Sequence, residues 1–115
     1  EILHKKRKYA DSIVSVAENV SKHPSFSVKI NKDKKIKPYL KKFNTTKKQK
    51  ISKIYFFDGS LYISKINALL EKKTFNHHKT LAYIVDKWKS IEIDDIIDLI
   101  SAEAIMKNIN KIKRC

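Results

Sequence analysis

Four carboxylates stand close together near the end of the chain, and they are the strongest candidates for metal chemistry. Glu92, Asp94, Asp95 and Asp98 lie within the stretch SIEIDDIID. On the strand that we predict for 90–94, Glu92 and Asp94 are two residues apart and would point to the same side. Two carboxylates at the C-terminal end of a strand can hold Mg²⁺ together with substrate phosphates. The alternative is structural, because Asp94 could cap the next helix while Asp95 and Asp98 favour its dipole.

The other residues capable of chemistry form no recognisable catalytic group. His77 and His78 are adjacent in a predicted loop, with no Cys or carboxylate at ligand spacing, so we expect solvated histidines. Cys115 is the only cysteine, which excludes a disulfide framework and a cysteine-ligated zinc site. Gly59 is the only glycine, which excludes the two Gly-rich loops that grip nucleotide phosphates.

A lysine-rich stretch occupies the middle of the chain. Residues 29–53 contain eleven lysines and one acidic residue, with Tyr39 and Phe43 inside the stretch and Tyr55 just after it. Such a run can neutralise phosphates, and aromatic side chains can stack on bases. However, the run contains no arginine, the usual reader of base edges, and it matches no nucleic-acid-binding motif. We therefore expect a mobile loop without a nucleic-acid partner, and keep a small nucleic-acid-binding protein as an alternative.

The composition indicates a folded domain rather than a disordered basic tail. The chain has 115 residues, a formal charge of +14 and 42% hydrophobic residues. No apolar run approaches the ~20 residues of a membrane-spanning helix. The opening EILHKKRKY lacks the apolar stretch of a signal peptide. We expect a cytoplasmic protein with no membrane partner.

The hydrophobic pattern predicts strands and helices that together make an α/β fold with a mixed sheet. We expect strands at 11–16 (buried on both faces), 23–30, 36–40, 53–65, 80–85 and 90–94. NKDKK predicts a turn before the third of these strands, and Asp58-Gly59 a hairpin or sharp bend in the fourth. We expect helices at 66–73, with Leu69 and Leu70 turned inward, and at 94–114, where apolar residues recur at helical spacing.

Five segments occur in an order that points to one family: ADSIVSV, HPSFSVKI, KKQKISKIYFFDGSLYISK, TFNHHKTLAYIV and SIEIDDIIDLISAEAIM. This order resembles the acylneuraminate cytidylyltransferases, which include the CMP-sialic acid synthetases and bacterial relatives for legionaminic and pseudaminic acids. The resemblance runs from Ala10 to Met106 and corresponds to roughly the second half of such an enzyme. It implies part of a nucleotidyltransferase-type three-layer fold, with helices flanking a mixed sheet and a β-rich dimerisation arm.

The resemblance also implies an activity and a set of site residues. Such enzymes transfer CMP from CTP to a nonulosonic acid with Mg²⁺ as cofactor, releasing pyrophosphate. The metal carboxylates of the family correspond to Glu92 and Asp94, and Asp94 is the residue we assign to catalysis. The substrate-binding positions of the family correspond to Lys48, Gln49, Tyr62 and Phe75.

The chain departs from the family pattern at several of these positions. Lys48 replaces an arginine, Asp58 replaces an asparagine, and Asn76 replaces the second residue of an aromatic pair. Phe26 replaces a lysine that the family's dimer partner lends to the neighbouring site. These departures imply either a divergent sugar specificity or a relative that has lost activity.

The resemblance divides the chain into a dimerisation arm with the basic loop, about 22–56, and a second part, 57–115. The second part holds the sugar-pocket strands, the metal carboxylates and the C-terminal helix. The CTP-gripping motif of the family's first half is not present, and the chain opens at Glu1 in an uncapped helix. We therefore expect a missing N-terminal half, a homodimer, and a fragment that is inactive alone. A non-catalytic dimerisation or interaction module is the other alternative.

Overall fold

The structure is a computed structural model that describes residues 1–6, 8–19, 22–42 and 52–114. By its internal contacts the chain divides into two compact units, one formed by Glu1–Ala17 with Phe57–Cys115 and the other by Glu18–Phe56. The helices are α1 (Ile2–Lys5), α2 (Ile66–Lys72), α3 (Ile96–Lys107) and α4 (Ile109–Ile112). The strands are β1 (Ser12–Glu18), β2 (Val28–Ile30), β3 (Ile36–Pro38), β4 (Tyr55–Ser64) and β5 (Thr80–Ile84), and 3₁₀ turns lie at Pro24–Phe26 and Lys87–Lys89.

The first unit contains a mixed sheet centred on β1, with strand order β4-β1-β5. β1 and β5 run parallel, with Ser12 beside Thr80. β4 runs antiparallel to β1, because Ser12 bonds to Ser64 while Ser15 bonds to Leu61. The first six residues of β1 are buried, as expected for a strand with neighbours on both sides. The prediction of an α/β fold with a mixed sheet is therefore confirmed at this coarse level.

The hydrophobic core of this unit belongs mostly to β1. Among the described residues, the buried apolar side chains are Ala10, Ile13, Val14, Val16, Ala17 and Ala68. Many larger apolar side chains on the other elements are exposed, including Phe57, Tyr62, Ile66 and Tyr83. Packing of the unit therefore depends on a few β-branched and small side chains along one strand.

The Asp58-Gly59 pair lies inside β4, so the hairpin expected at this point is wrong. β4 continues without interruption from Tyr55 to Ser64. Gly59 has a φ of +74°, in a region that costs an L-residue roughly 1–2 kcal/mol. Glycine is therefore required for a local change of backbone conformation within the strand rather than for a chain reversal.

The helices form close to the predicted positions but are less buried than predicted. In α2, Ala68 is buried and Leu69 is half-buried, whereas Leu70 is 71% exposed. The inward position predicted for Leu70 is wrong, because two residues correspond to more than half a helical turn from Ala68. α3 begins at Ile96 rather than at 94, and none of its residues is buried. Among the described helices, none is long and apolar enough to cross a lipid bilayer.

The second unit contains an antiparallel hairpin of β2 and β3, in which Ile30 pairs with Ile36. The NKDKK turn is confirmed, since the Asn31 side chain accepts a hydrogen bond from the Lys35 N–H at 2.9 Å. The predicted strand over 23–30 forms only in its last three residues. Pro24 instead begins a 3₁₀ turn, which His23 Nδ1 caps by accepting a hydrogen bond from the Ser25 N–H.

Candidate functional site

The loop between α2 and β5 is fixed by one hydroxyl group at the start of β5. Thr80 Oγ1 donates a hydrogen bond to the Phe75 carbonyl at 2.6 Å and accepts one from the His77 N–H at 3.0 Å. The Lys79 N–H donates to His77 Nδ1 at 3.2 Å, which closes the loop a second time. Because the side chain of threonine is stiff at χ1, these bonds hold residues 75–79 against the edge of the sheet.

His77 is also tied to the centre of the sheet. Its Nε2 lies 3.1 Å from Ser12 Oγ, and the Ser12 hydroxyl donates to Ser64 Oγ at 2.8 Å. Since Nδ1 accepts from Lys79, a neutral ring carries its proton on Nε2 and donates to Ser12. The expectation of a solvated histidine is therefore wrong for His77, although His78 is exposed. The sequence holds one signal for such a contact: Ser12 lies on a strand that is predicted to be buried, and a buried hydroxyl requires a hydrogen-bond partner.

Beside this loop lies a cavity of about 250 Å³. Its wall is mostly apolar and is formed by Val14, Val16, Phe57, Asn76, His77, Thr80, Leu81 and Ala82. β1 and β5 supply the floor, while the hydroxyl-fixed loop supplies the polar side chains. The cavity thus combines a rigid apolar surface with polar groups at one side, which is the usual composition of a small-molecule site.

Two sequence-predicted substrate-binding residues, Tyr62 on β4 and Phe75 on the fixed loop, lie together. Their ring centroids are 5.4 Å apart and the rings are tilted by 57°. Tyr62 is 44% exposed, and Phe75 is half-buried. Phe75 directly precedes Asn76, which lines the cavity. The fold therefore joins positions 62 and 75 into one partly exposed aromatic surface.

Asp58, which departs from the family pattern, is a buried acid with partners inside the sheet. Its Oδ2 accepts a hydrogen bond from the Ser60 hydroxyl at 2.8 Å, and Ser60 Oγ lies 3.1 Å from Ser15 Oγ. Burial raises the pKa of Asp58, but hydrogen bonds from Ser15 and Ser60 outweigh burial and hold that pKa below its ordinary value of 3.8. The carboxylate is thus kept ionised by hydroxyl groups of the sheet, a role that the sequence did not reveal.

A cluster of charges lies at the start of β1. Asp11 accepts a hydrogen bond from Lys65 Nζ at 2.8 Å, and Lys79 Nζ lies 3.9 Å from its second oxygen. The hydrogen bond from Lys65 lowers the pKa of Asp11 most strongly, with smaller contributions from the positive charges of Lys65 and Lys79. These ion pairs connect the end of β4 and the start of β5 to the residue that precedes β1.

The predicted metal carboxylates, Glu92 and Asp94, are not on a strand. Residues 90–94 contain no regular strand, so the strand predicted there is wrong. Glu92 Oε1 lies 2.9 Å from the position that a Cβ on Gly59 would take, which places Glu92 next to β4. Asp94 donates its backbone N–H to Asp98 Oδ2 at 3.1 Å. Within the described residues, neither the Glu92 nor the Asp94 carboxylate has a hydrogen-bond or ion-pair partner.

The helix cap is Asp95, so the predicted capping role of Asp94 is wrong. Asp95 Oδ1 accepts from the N–H groups of Ile97 and Asp98, at 2.8 and 2.9 Å. Asp98 Oδ2 accepts in return from the Asp95 N–H, which completes a capping box. Capping therefore uses Asp95 and Asp98 and leaves Asp94 free.

Magnesium is usually bound by one or two carboxylates together with phosphates and water. In the part of the chain that the structure describes, no three His, Cys, Asp or Glu side chains come together as a metal site. The assignment of Glu92 and Asp94 as metal ligands therefore stays a prediction.

The remaining predicted residues do not join this group. Lys48 and Gln49 lie outside the described residues. Phe26 lies in the 3₁₀ turn of the second unit, 37% exposed, with its ring 6.4 Å from that of His23. The structure thus brings together Tyr62 and Phe75 and, separately, places Glu92 beside Gly59.

Comparison with known proteins assigns no family to this arrangement. The sequence matches no protein-family model, and a search of curated proteins returns no match.

Proposed function

We propose that this chain is the C-terminal, sugar-binding part of a cytidylyltransferase that transfers CMP from CTP to a sialic-acid-like nonulosonic acid. The observation that carries the proposal is the contact between Tyr62 and Phe75. The family resemblance places both positions in the sugar pocket, and their rings lie 5.4 Å apart although they are 13 positions apart in the sequence. A partly exposed aromatic pair offers an apolar surface to the carbon face of a sugar ring.

The electrostatics of the chain are consistent with an anionic substrate. The formal charge of +14 gives the protein a positive field that attracts carboxylates and phosphates. Lys65 and Lys79 add positive charge beside the loop that carries Phe75, although Asp11 partly neutralises both. A sugar acid and CTP are both substrates of this kind.

In the complete enzyme, Glu92 and Asp94 would hold the magnesium ion. The bound ion would offset the negative charge of the phosphates and lower the pKa of the attacking sugar hydroxyl. The chain's own part is to keep these two carboxylates free, which it does by capping α3 with Asp95 and Asp98 instead. Tyr62 and Phe75 would hold the sugar ring, and the bonds from Thr80 would fix the position of Phe75.

Binding of N-acetylneuraminic acid to the 115-residue chain tests the proposal. We expect the aromatic NMR resonances of Tyr62 and Phe75 to shift on titration, and Tyr62→Ala to weaken binding about tenfold, as one lost aromatic contact predicts. Tyr83→Ala is the matched control, since Tyr83 lies on β5, on the other side of β1 in the same sheet, and has almost the same exposure, 43% against 44%. Unchanged affinity in Tyr62→Ala, or no shift at millimolar sugar, would contradict the proposal.

The chain alone should not turn over CTP and a sugar acid. Neither Gly-rich phosphate loop can be formed with Gly59 as the only glycine. We expect pyrophosphate release at the level of the blank from the purified chain with CTP, N-acetylneuraminic acid and Mg²⁺. Release above that level would refute the assignment of this chain to the sugar-binding part alone.

A second proposal concerns homodimerisation through the β2–β3 hairpin. Val28, Ile30 and Ile36 lie on one face of the hairpin and are 43%, 69% and 57% exposed. A paired apolar face of this kind is typical of a surface covered by a partner. We expect a dimer in sedimentation at micromolar concentration, which Ile30→Lys with Ile36→Lys should dissociate. The control, Lys29→Ser with Lys37→Ser, alters only the opposite face, and a monomeric wild type would exclude this role.

A further inference from the structure

We propose that one face of the β2–β3 hairpin binds single-stranded nucleic acid without sequence preference. This face, which we call the cationic face, consists of Lys29, Lys37 and Tyr39. The two lysines contact phosphates, and the tyrosine stacks on a base. The cationic face belongs to the second unit of the chain, so the inference does not depend on Tyr62 and Phe75, which belong to the first.

The register of the hairpin separates its side chains into two faces. Lys29 pairs with Lys37, and Ile30 pairs with Ile36. Because successive side chains of a strand point to opposite sides, the two lysines lie on the face opposite the two isoleucines. Tyr39 lies on the lysine side, since the Lys29 ammonium is 5.6 Å from the centroid of its ring. The hairpin therefore places positive charge and an aromatic ring together, away from its apolar side chains.

The positive charge of the hairpin is not neutralised within the part of the chain that the structure describes. Residues 27–39 contain five lysines and one acidic residue, Asp33. All five lysines are exposed, and none of them forms an ion pair with a described residue. Lys29 and Lys37 stand directly opposite each other, an arrangement of like charges that destabilises an antiparallel pair. A bound row of phosphates would remove this repulsion, so the face is complementary to a polyanion.

Tyr39 favours a single-stranded nucleic acid over other polyanions. Tyr39 is 56% exposed and lies beside the Lys29 ammonium. Aromatic side chains on a basic surface stack on the bases of single strands and tolerate any base, because every base has a flat face. The bases of a duplex are already stacked on one another and offer no such face. The stretch contains no arginine, the usual reader of base edges, which agrees with binding that ignores sequence.

An anionic membrane fits this hairpin less well. An element that lies on a membrane buries its apolar face among the lipids. Ile30 and Ile36 would have to make that contact, and Lys29 and Lys37 would then point away from the lipid head groups. A membrane would therefore use one of the two attractions, whereas a single strand needs only the cationic face.

Fluorescence anisotropy of a labelled oligothymidylate with the 115-residue chain tests the inference. We expect binding that weakens as the salt concentration rises from about 50 to about 200 mM. Lys29→Ser with Lys37→Ser should weaken binding about tenfold. It should also reduce the slope of log K against log salt by about 1.4, since each phosphate contact on a single strand contributes about 0.7. Lys29→Arg with Lys37→Arg keeps both charges and should keep the binding.

The stacking role of Tyr39 has its own variant. Tyr39→Leu should weaken binding about fivefold or more, the loss of one stacked base, and should leave the salt slope unchanged. Tyr83→Leu is the control, because it removes an exposed tyrosine of β5 in the first unit. Unchanged affinity in Tyr39→Leu, or equal affinity for a duplex of the same length, would overturn the assignment of a single strand.

A charge-matched control tests whether the lysines act by their position. Lys87→Ser with Lys113→Ser removes two exposed lysines of the first unit and should change the affinity by less than about twofold, because salt screens distant charges. A loss equal to that in the Lys29 and Lys37 variant would overturn the inference, since binding would then follow net charge alone. Binding to phosphatidylserine vesicles without binding to the oligothymidylate would overturn it in favour of a membrane. No binding to either probe would overturn it and leave the cytidylyltransferase proposal standing.

Discussion

β1 and α3 are both rich in β-branched apolar residues, yet they have opposite environments. The first six residues of β1 are buried, whereas Ile96, Ile97 and Ile100 of α3 are 65%, 68% and 59% exposed. β1 is the central strand of the sheet, between β4 and β5. α3 carries apolar residues around much of its circumference but has no comparable cover among the described residues, which is typical of a surface that meets another surface. The number of apolar residues in a segment therefore does not determine how much its burial contributes to the free energy of folding.

The largest difference in stability should appear when an isoleucine is replaced by alanine in β1 and in α3. Ile13→Ala should lower the free energy of unfolding by about 3 kcal/mol, because Ile13 is 4% exposed and its loss leaves a cavity. Ile97→Ala is the control and should change it by less than about 0.5 kcal/mol, the usual range of surface substitutions. Urea unfolding followed by circular dichroism measures both. Equal losses would show that α3 is packed as tightly as β1.

The polar part of β1 should give the next largest effect. Ser15→Ala removes the oxygen that accepts the Leu61 N–H at 2.8 Å and that lies 3.1 Å from Ser60 Oγ. A buried N–H without a partner costs about 2 kcal/mol, so we expect a loss of that size. Ser101→Ala on exposed α3 removes a hydroxyl bonded to the Ile97 carbonyl and should cost under about 0.5 kcal/mol. Similar losses of stability for Ser15→Ala and Ser101→Ala would mean that the hydrogen bonds of Ser15 stabilise the fold no more than an exposed hydrogen bond on α3.

The strands of the sheet and the chemistry of the loop differ in how well the sequence predicts them. The β-branched run 11–16 and the aromatic, β-rich segment 53–65 predict β1 and β4, because both depend on local sequence. The strand predicted at 90–94 fails, since Glu92, Ile93 and Asp94 alternate but find no described neighbouring strand. The buried hydroxyl of Ser12 indicates that it needs a partner, but His77 lies 65 positions away in the sequence, so no local pattern could identify it as that partner. The resemblance to a family gives Tyr62 and Phe75 their substrate-binding roles, but their contact is visible only in the structure.

Asp58, which joins the β1 hydroxyl network from β4, makes the stability of the sheet depend on pH. Its pKa is lowered in the fold, so its ionised form stabilises the protein fully above the unfolded value of 3.8. That contribution is lost as the pH falls through the lower, folded pKa. In urea unfolding between pH 6 and pH 2.5, Asp58→Asn should remove part of the decline in stability at low pH. Asp86→Asn is the control, and a decline that is identical in wild type and Asp58→Asn would contradict the role of this carboxylate.

The smallest effects separate capping from metal binding at the start of α3. Asp95→Ala should lower stability by about 1 kcal/mol, because it removes the acceptor of the Ile97 and Asp98 N–H groups. Asp94→Asn should leave stability unchanged, since the Asp94 carboxylate has no partner among the described residues and only its backbone N–H is bonded. In a chain extended to the active enzyme, Asp94→Asn should lower kcat strongly, because an amide is a poorer Mg²⁺ ligand than a carboxylate. Thermal unfolding and pyrophosphate release measure the two properties in the same pair of variants. If Asp94→Asn loses stability while its turnover is unchanged, Asp94 has a structural role. A residue that acts only as a metal ligand should instead lose turnover and keep its stability.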